Sequence, residues 1–477
     1  MKVINEKMMS RRNFISAALQ ASALAGIAGL KVSCARPAGG RGTSGRKIVI
    51  RDTAAAIEYE PLIAPMGFKG RYITGLWQTA AWLKSDRDIQ KVGLGTQSIL
   101  WSDASVFAAY GETKGNALMY AVTEYALKLL KGSSFESPVG VLEDIFDDVY
   151  RYGKKITGNP DLRKTFVLNA LVCVDLALWS LYAAENGITS FDGLIPPEYR
   201  PAFPCRHESV AAIPLMSYNV PPEGISRAVE EGYFFLKIKI GEEGTQKEML
   251  QKDMDRLSTI HKAVGRCRSS HTQNGKLLYY LDANGRYEKK ETLMKLVDHI
   301  RKIGALDHLA MIEEPFPEQM ETDVRDIPVR IAADESAHTE KDTLERIEMG
   351  YSAVALKAIA KTWSMTMKIA RVVKEHHIPC LCADLTVNPV LVDWNRNVAA
   401  RLDPFPGLNT GLMETNGHQN YKNWEQMRAY HPFPDAPWQS CQNGLYRLEN
   451  DFYAKSGGVL TDPPHYLALF KRATSGE

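Results

Sequence analysis

Apolar residues follow two different patterns, one on each side of the proline-rich stretch PPEYRPAFPC (196–205). Before it, a strand-like start, KIVIRDTAAAIEYE, gives way to helical segments. The segment TFVLNALVCVDLALWSLYAAENG is apolar on nearly all sides, which predicts a buried helix that ends at Gly187. Glycine- and aromatic-rich runs within 66–104 predict mobile loops over a site. We therefore predict an α+β capping domain over residues 47–190.

After this stretch, short apolar runs alternate with amphipathic segments such as ETLMKLVDHIRKIG. Eight runs predict strands: AIPLMSYNV, YFFLKIKIG, LLYYLDAN, LAMIEEP, VRIAADES, AVALKAIA, IPCLCADL and LNTGLME. This alternation predicts an α/β fold, a (β/α)8-type barrel over residues 205–440. A doubly wound sheet is the rival, but no G-x-G-x-x-G follows an early strand. We expect residues 441–477 to pack back on the cap.

Polar residues stand where these predicted strands end, and in such a barrel the chemistry gathers at that end. In strand order they are Lys237 with Lys239, then Asp282, Glu313, Asp334, Lys357, Asp384 and Glu414.

Three acids on consecutive strands, Asp282, Glu313 and Asp334, cannot lie together ionised without a cation. Oxygen ligands with open positions suit magnesium that keeps waters and binds substrate. The sequence therefore predicts one Mg²⁺ per subunit at this mouth.

The lysines fit a proton transfer beside that ion. Strands two and six lie on opposite sides of an eight-stranded barrel, so Lys239 and Lys357 are expected to face each other. One amine would take the proton α to a bound carboxylate and the other would return one on the opposite face. We expect Lys237, through its charge, to lower the pKa of Lys239.

Composition narrows the partners. The formal net charge of +2 gives no indication of a nucleic-acid partner. The seven cysteines include no C-x-x-C pair, so the sequence does not favour a zinc site held by cysteines. The expected partner is a small-molecule carboxylate substrate, and we expect a homo-oligomer.

The first residues, MSRRNFISAALQASALAGIAGLKVSCA, pair Arg11 with Arg12 ahead of a moderately apolar run. This order predicts a twin-arginine export signal over 1–35, read by the twin-arginine machinery, and a periplasmic protein. A lipid anchor at Cys34 ranks second, and residues 36–46 predict a flexible linker. No later segment is expected to form a stable membrane span.

The ordered set KIK, DAN, EEP, ADES and LK resembles the enolase superfamily, in its muconate-lactonizing and dipeptide-epimerase branch. The resemblance implies a cap and a barrel, with Asp282, Glu313 and Asp334 as Mg²⁺ ligands and Lys239 with Lys357 as the acid/base pair. The mandelate racemase branch uses a His–Asp pair on strands six and seven, whereas here strand six offers Lys357, and His376 and His377 precede strand seven.

The resemblance also implies roles for neighbouring residues. Asn284 and Glu335 are expected to contact the metal ligands, and Asp384, Glu414 and Asn416 the substrate. The motif METN stands where many dipeptide epimerases have Asp-x-Asp for an ammonium group. EEP replaces the more usual EQP, so Glu314 adds a charge beside the metal.

The predicted function is thus an isomerase, a racemase or epimerase of dipeptides (L-Ala-D/L-Glu-like) or N-acyl amino acids. A lyase such as an acid-sugar dehydratase, or a cycloisomerase, begins with the same proton abstraction and stays open. A Schiff-base aldolase leaves three carboxylates without a purpose, and a non-catalytic binding barrel would not need every catalytic position filled.

Overall fold

The structure is a computed structural model that describes residues 47–68 and 71–474. The predicted export signal (1–35) and linker (36–46) lie outside the described residues. The described part consists of a mixed α/β cap followed by a parallel barrel, which is the predicted fold class.

The cap is built on an antiparallel sheet of order β3-β2-β1-β4. Its strands are β1 (Ile48–Phe68), β2 (Arg71–Ser85), β3 (Gln90–Gln97) and β4 (Ser134–Phe135). Its helices are α1 (Ile99–Ser102), α2 (Ala104–Leu130), α3 (Pro138–Thr157), α4 (Lys164–Glu185) and α5 (Phe191–Leu194). The prediction of mobile loops across 66–104 is wrong, because β2 and β3 occupy most of that stretch.

The glycines that suggested loops instead allow a helix to lie close to the sheet. A Cβ atom on Gly93 would overlap the backbone nitrogen of Ala177 and the carbonyl oxygen of Cys173, both on α4. Helix α4 ends just before Gly187 (φ +65°), as predicted. By length and apolar composition alone this helix could cross a membrane, but 94% of its apolar window is buried inside the protein, which is consistent with the expectation of no stable membrane span.

We expect Gly93→Ala to lower the free energy of unfolding by about 1–3 kcal/mol, because the added methyl group forces β3 and α4 apart. Urea unfolding followed by circular dichroism measures the change. Gly140→Ala is the control: a Cβ there meets no atom within 4 Å, and alanine stabilises a helix by up to about 1 kcal/mol. Equal stability of the two variants would contradict the close approach.

The barrel alternates strands and helices from Ser209 onward. Its parallel strands are β5 (Ser209–Ile213) continued by β6 (Leu215–Met216), then β7 (Phe235–Lys239), β8 (Leu278–Asp282), β9 (Leu309–Glu313), β10 (Ile331–Ala333), β11 (Ala353–Leu356), β12 (Cys380–Cys382) and β13 (Gly411–Glu414). Its helices are α6 (Pro222–Glu230), α7 (Gln246–Val264), α8 (Lys290–Lys302), α9 (Glu340–Glu348), α10 (Ala358–Lys361), α11 (Trp363–Glu375), α12 (Pro389–Ala399), α13 (Gly417–Asn420) and α14 (Trp424–Ala429). Short 3₁₀ turns cover Arg200–Ala202, Leu306–His308, Pro437–Gln439 and Ser456–Gly458.

The first barrel strand closes the ring by pairing on both sides in turn. Its first half, β5, pairs with β13, and its second half, β6, pairs with β7. The change falls at Pro214, which has no N–H for the ladder. Because β7 and β11 are four strands apart in either direction, they lie on opposite sides of the barrel.

Local sequence explains where several barrel helices begin. Helices α7 and α9 each start at a threonine whose hydroxyl accepts from the third helical N–H, while the acid at that position contacts the threonine N–H in return. These capping boxes satisfy backbone groups that a helix start leaves open.

The C-terminal segment has two parts. A hairpin of β14 (Cys441–Gln442) and β15 (Leu445–Arg447) adds to β5 of the barrel, because β5 has no barrel strand on that edge. This differs from the expectation that all of 441–477 lies on the cap. Helices α15 (Asn450–Lys455) and α16 (Pro464–Thr474) follow, and Phe470 of α16 stacks on Trp82 of β2 with ring centroids 6.3 Å apart.

Candidate active site

The polar strand-end residues gather at one mouth of the barrel. Lys239, Asp282, Glu313 and Glu414 are the last residues of β7, β8, β9 and β13, and Asp334 and Lys357 directly follow β10 and β11. All of these side chains are buried. His376 and His377 lie exposed beyond the end of α11, away from this mouth.

Lys237 is held by carboxylates. Its Nζ lies 3.0 Å from Asp282 Oδ2, 3.3 Å from Glu313 Oε1 and 3.1 Å from Glu414 Oε2. Burial alone would lower the pKa of Lys237, but these three carboxylates raise it well above its usual value. Lys237 is therefore a fixed positive charge inside the mouth. Its expected effect on the pKa of Lys239 stays a prediction.

Lys239 and Lys357 line the same cavity, of about 60 Å³, from opposite strands. Lys239 Nζ donates to Asp282 Oδ2 and to Asn284 Oδ1, both at 2.6 Å. Lys357 Nζ pairs with Asp334 Oδ2. Each amine is thus oriented by a neighbouring carboxylate and points toward a shared space.

Carboxylate oxygens of Glu313, Asp334 and Glu335 lie within 4.8 Å of one another. Within the part of the chain that the structure describes, each of these residues has one buried oxygen without a hydrogen-bond partner: Glu313 Oε2, Asp334 Oδ1 and Glu335 Oε2. Burial raises the pKa of Glu313 to about 8, with Asp334 adding to the rise and Lys237 opposing it. Buried carboxylates at this spacing, each with an oxygen that accepts no hydrogen bond from the described residues, fit a hard divalent cation.

Asp282 lies outside this group. Its Oδ2 contacts Lys237 and Lys239, and burial alone would raise the pKa of Asp282, yet the two ammonium groups hold it below its usual range. Asn284 connects the two sides, because it accepts from Lys239 and its Nδ2 donates to Glu335 Oε1 at 3.0 Å. The structure therefore adds Glu335 to the candidate ligands, although the sequence analysis expected it only to contact them. The role of Asp282 as a ligand stays a prediction.

The residues predicted to bind substrate line the same cavity. Asp384 accepts from the N–H of Leu385 (2.8 Å) and of Asn416 (2.8 Å). Glu414 accepts from Lys237 and, at 3.1 Å, from the side chain of Asn416. Burial, with Glu414 beside it, raises the pKa of Asp384 to about 7.

The cap supplies walls that sequence reasoning did not assign individually. Lys239 Nζ lies 5.2 Å from the ring centroid of Phe68, and Lys357 Nζ lies 4.5 Å from that of Trp101. Met66, Ile73 and Leu100 also line the cavity. The only sequence signal for these residues was the aromatic and glycine content of 66–104, which indicates a site but no geometry.

A further missed residue is Lys361, which is fully buried and donates to the backbone oxygens of Asp334 (2.6 Å) and Ala337 (2.9 Å). Its place four residues after Lys357, at the end of a short helix, was the available signal.

Comparison with known proteins gives one family. Residues 223–429 match the family model described as enolase C-terminal domain-like. The comparison with curated protein sequences finds no match.

Solved structures resemble the fold over most of the chain. The dipeptide epimerase from Cytophaga hutchinsonii, complexed with Mg and D-Ala-L-Val, has a TM-score of 0.58 at 15% identity and covers 78% of this chain and 88% of its own. The L-Ala-D/L-Glu epimerase from Bacillus subtilis, in a substrate-liganded complex, has a TM-score of 0.57 at 17% identity, with coverage of 78% and 91%. A mandelate racemase/muconate lactonizing protein from Herpetosiphon aurantiacus has a TM-score of 0.57 at 13% identity, with coverage of 84% and 96%. At these identities the likeness is one of fold.

Proposed function

We propose that this chain is a member of the enolase superfamily, because its residues 223–429 match the enolase C-terminal domain-like family model and its fold resembles such structures. We propose further that it is a Mg²⁺-dependent racemase or epimerase acting α to a substrate carboxylate. The observation that carries the proposal is the pair Lys239 and Lys357, which line one cavity from opposite strands. Inversion at a carbon needs a proton removed on one face and delivered on the other, and two amines facing one space meet that need.

The proposed proton path uses groups that are already oriented. Asp282 and Asn284 fix the position of Lys239, and Asp334 fixes that of Lys357. Phe68 and Trp101 lie against the two buried amines and would limit the access of water to them, which would protect a carbanion-like substrate from unwanted protonation. In each direction of the reaction, one amine removes the α-proton and the other supplies a new one.

The residues that would hold one Mg²⁺ per subunit are Glu313, Asp334 and Glu335, with Asp282 beside them. When bound, a divalent cation would stabilise the negative charge that the substrate carboxylate gains as the α-proton leaves. Lys237 keeps the remaining carboxylates, Asp282 and Glu414, paired and in place.

For the substrate we propose a dipeptide or an N-acylated amino acid. One of the similar structures is named as a dipeptide epimerase with a dipeptide bound, and another as an L-Ala-D/L-Glu epimerase in a substrate-liganded complex. The apolar cap residues Met66, Ile73 and Leu100, which line the cavity, favour an apolar group on the substrate.

The direct test follows α-proton exchange in deuterated water by NMR, with Mg²⁺ and panels of dipeptides, N-acetyl amino acids and acid sugars. We expect deuterium at the α-carbon together with conversion between the two epimers. Chelation of the metal is the matched control and should stop the exchange. Loss of water from an acid sugar, without epimerisation of any amino-acid derivative, would contradict the proposal in favour of a lyase.

We also propose that residues 1–35 direct export through the twin-arginine machinery, on the basis of the sequence motif. Changing Arg11 and Arg12 together to Lys is expected to leave the precursor in the cytoplasm. Immunoblots of cytoplasmic and periplasmic fractions measure the change, and Lys2→Arg serves as a control outside the pair. Normal export of the double variant would contradict the motif assignment.

A further inference from the structure

The loop from Asp334 to Ala337 carries two of the candidate metal ligands, Asp334 and Glu335, immediately after β10. It belongs to no helix or strand, so its backbone N–H and C=O groups have no regular partners. All four of its residues are buried, and buried backbone groups need partners to avoid a large desolvation cost. The Ala337 N–H donates to the Asp334 carbonyl and Arg163 donates to the Glu335 carbonyl, both at 3.1 Å. Two further charged side chains, Glu314 and Lys361, contact the loop that holds Asp334.

Glu314 accepts hydrogen bonds from two backbone N–H groups of the loop. Its Oε2 accepts from Asp334 N at 2.9 Å, from Ser336 N at 3.3 Å and from Ser336 Oγ at 3.0 Å. The backbone of Glu314 has φ +40°, in the left-handed region that non-glycine residues rarely adopt. A strained residue of this kind persists when its surroundings fix it, and strain concentrates at functional sites.

Lys361 donates hydrogen bonds to two carbonyl groups of the same loop. Its Nζ donates to Asp334 O at 2.6 Å and to Ala337 O at 2.9 Å, and it lies 3.4 Å from Asp334 Oδ1. The side chain is fully buried in α10 and does not line the cavity that Lys239 and Lys357 share. Its ammonium group therefore contacts the ligand loop and has no place in the proposed proton path.

We propose that Glu314 and Lys361 are positioning residues that grip the Asp334–Ala337 loop from its two sides and thereby set the affinity of the site for divalent cations. The inference rests on the proposed function for the presence of that cation. It also explains the extra acid in the EEP motif, since the second glutamate anchors the loop through its oxygen. Neither residue touches the substrate in this assignment.

The sign of the effect at Lys361 separates positioning from simple charge. Lys361 is a positive charge within 3.4 Å of a ligand carboxylate, so its charge alone repels a divalent cation. If charge were its only role, Lys361→Met would tighten cation binding. If it positions the loop, the same change removes the donor to the Ala337 carbonyl and one of the two donors to the Asp334 carbonyl, which releases the loop and weakens binding.

The experiment measures the binding of Mg²⁺ and of Mn²⁺ to the metal-free protein by calorimetry, without substrate. Lys361→Met is expected to weaken binding about 10- to 100-fold, the range seen when groups that orient metal ligands are removed. The control is Lys374→Met, which should leave the dissociation constant unchanged. Lys374 is a partly exposed lysine on α11 that pairs with Asp403. Circular dichroism checks that each variant is folded.

Glu314 offers a second, independent comparison. Glu314→Leu removes all three acceptor contacts and is expected to weaken binding about 10- to 100-fold. Glu314→Gln keeps an acceptor oxygen at the same place without the charge, so we expect binding within about threefold of the parent. This rescue distinguishes a hydrogen-bonding anchor from an electrostatic one.

Two results would overturn the inference while leaving the proposed function intact: unchanged or tighter binding in Lys361→Met, or equal losses in the glutamine and leucine variants of Glu314. If Lys361→Met does not fold, the Glu314 pair decides alone. A parent protein that binds no divalent cation would instead contradict the proposed function itself, and with it the premise of this inference.

Discussion

Lys239→Ala is expected to lose α-proton exchange from one epimer of the substrate and to keep it with the other, and Lys357→Ala is expected to show the reverse. The reason is geometric: the two amines enter the cavity from β7 and β11, on opposite sides of the barrel, so each reaches one face of the α-carbon. Epimerisation should fall in both variants by about 10²–10⁴-fold, since every turnover needs both faces. The measurement is NMR of deuterium uptake, starting from each pure epimer.

The two variants control each other, because both remove one buried amine from the same cavity. A general loss of structure would remove exchange from both epimers in both proteins, and circular dichroism would show it. If both variants are folded and lose exchange equally from the two epimers, a one-base lyase or cycloisomerase is the better assignment. The stereochemical split, rather than the size of the loss, is therefore the decisive observation.

Glu313→Gln is expected to abolish Mg²⁺-dependent turnover, by at least about 10³-fold, with the fold intact. Glutamine has the shape of glutamate, but it removes the ligand charge from the group formed with Asp334 and Glu335, and a metal ion supplies several kcal/mol of transition-state stabilisation. Initial rates over a Mg²⁺ titration measure the loss. Glu321→Gln, at an exposed acid between β9 and β10, is the matched control and should retain full activity. Normal turnover of Glu313→Gln with trace metal would show that the ligand set is wrong.

The barrel and most of its candidate catalytic residues could be predicted from two signals that repeat together along the chain. One is the alternation of apolar strands with amphipathic helices, and the other is the polar residue at the end of most strands. Each strand–helix unit places one strand end at the mouth, so a polar residue that closes an apolar run, as Asp282 and Glu313 do, has a determined location. The opposition of Lys239 and Lys357 follows from counting strands. The resemblance then added expected roles that counting alone does not give.

The remaining parts have no such periodicity. Asp334 and Glu335 are adjacent in a loop, and sequence spacing cannot tell which side chain turns toward Glu313; the hydrogen bond from Asn284 to Glu335 is a tertiary contact. In the cap, glycines that usually indicate loops serve close packing of β3 against α4. The hairpin at Cys441 pairs with the edge of β5 that no barrel strand occupies, and which edge stays open depends on pairing around the whole ring.

The contact between Phe470 and Trp82 links the two ends of the described chain, and it has a consequence for biosynthesis. Trp82 leaves the ribosome well before its stacking partner Phe470. Lys91 likewise precedes Asp462, with which it pairs at 2.7 Å. At about 5–20 residues per second, the interval is on the order of tens of seconds. During that time Trp82 of β2 and Lys91 of β3 lack these partners, while the ribosome synthesises the barrel. The cap is therefore synthesised before the barrel, but it gains these contacts only after the barrel has been made.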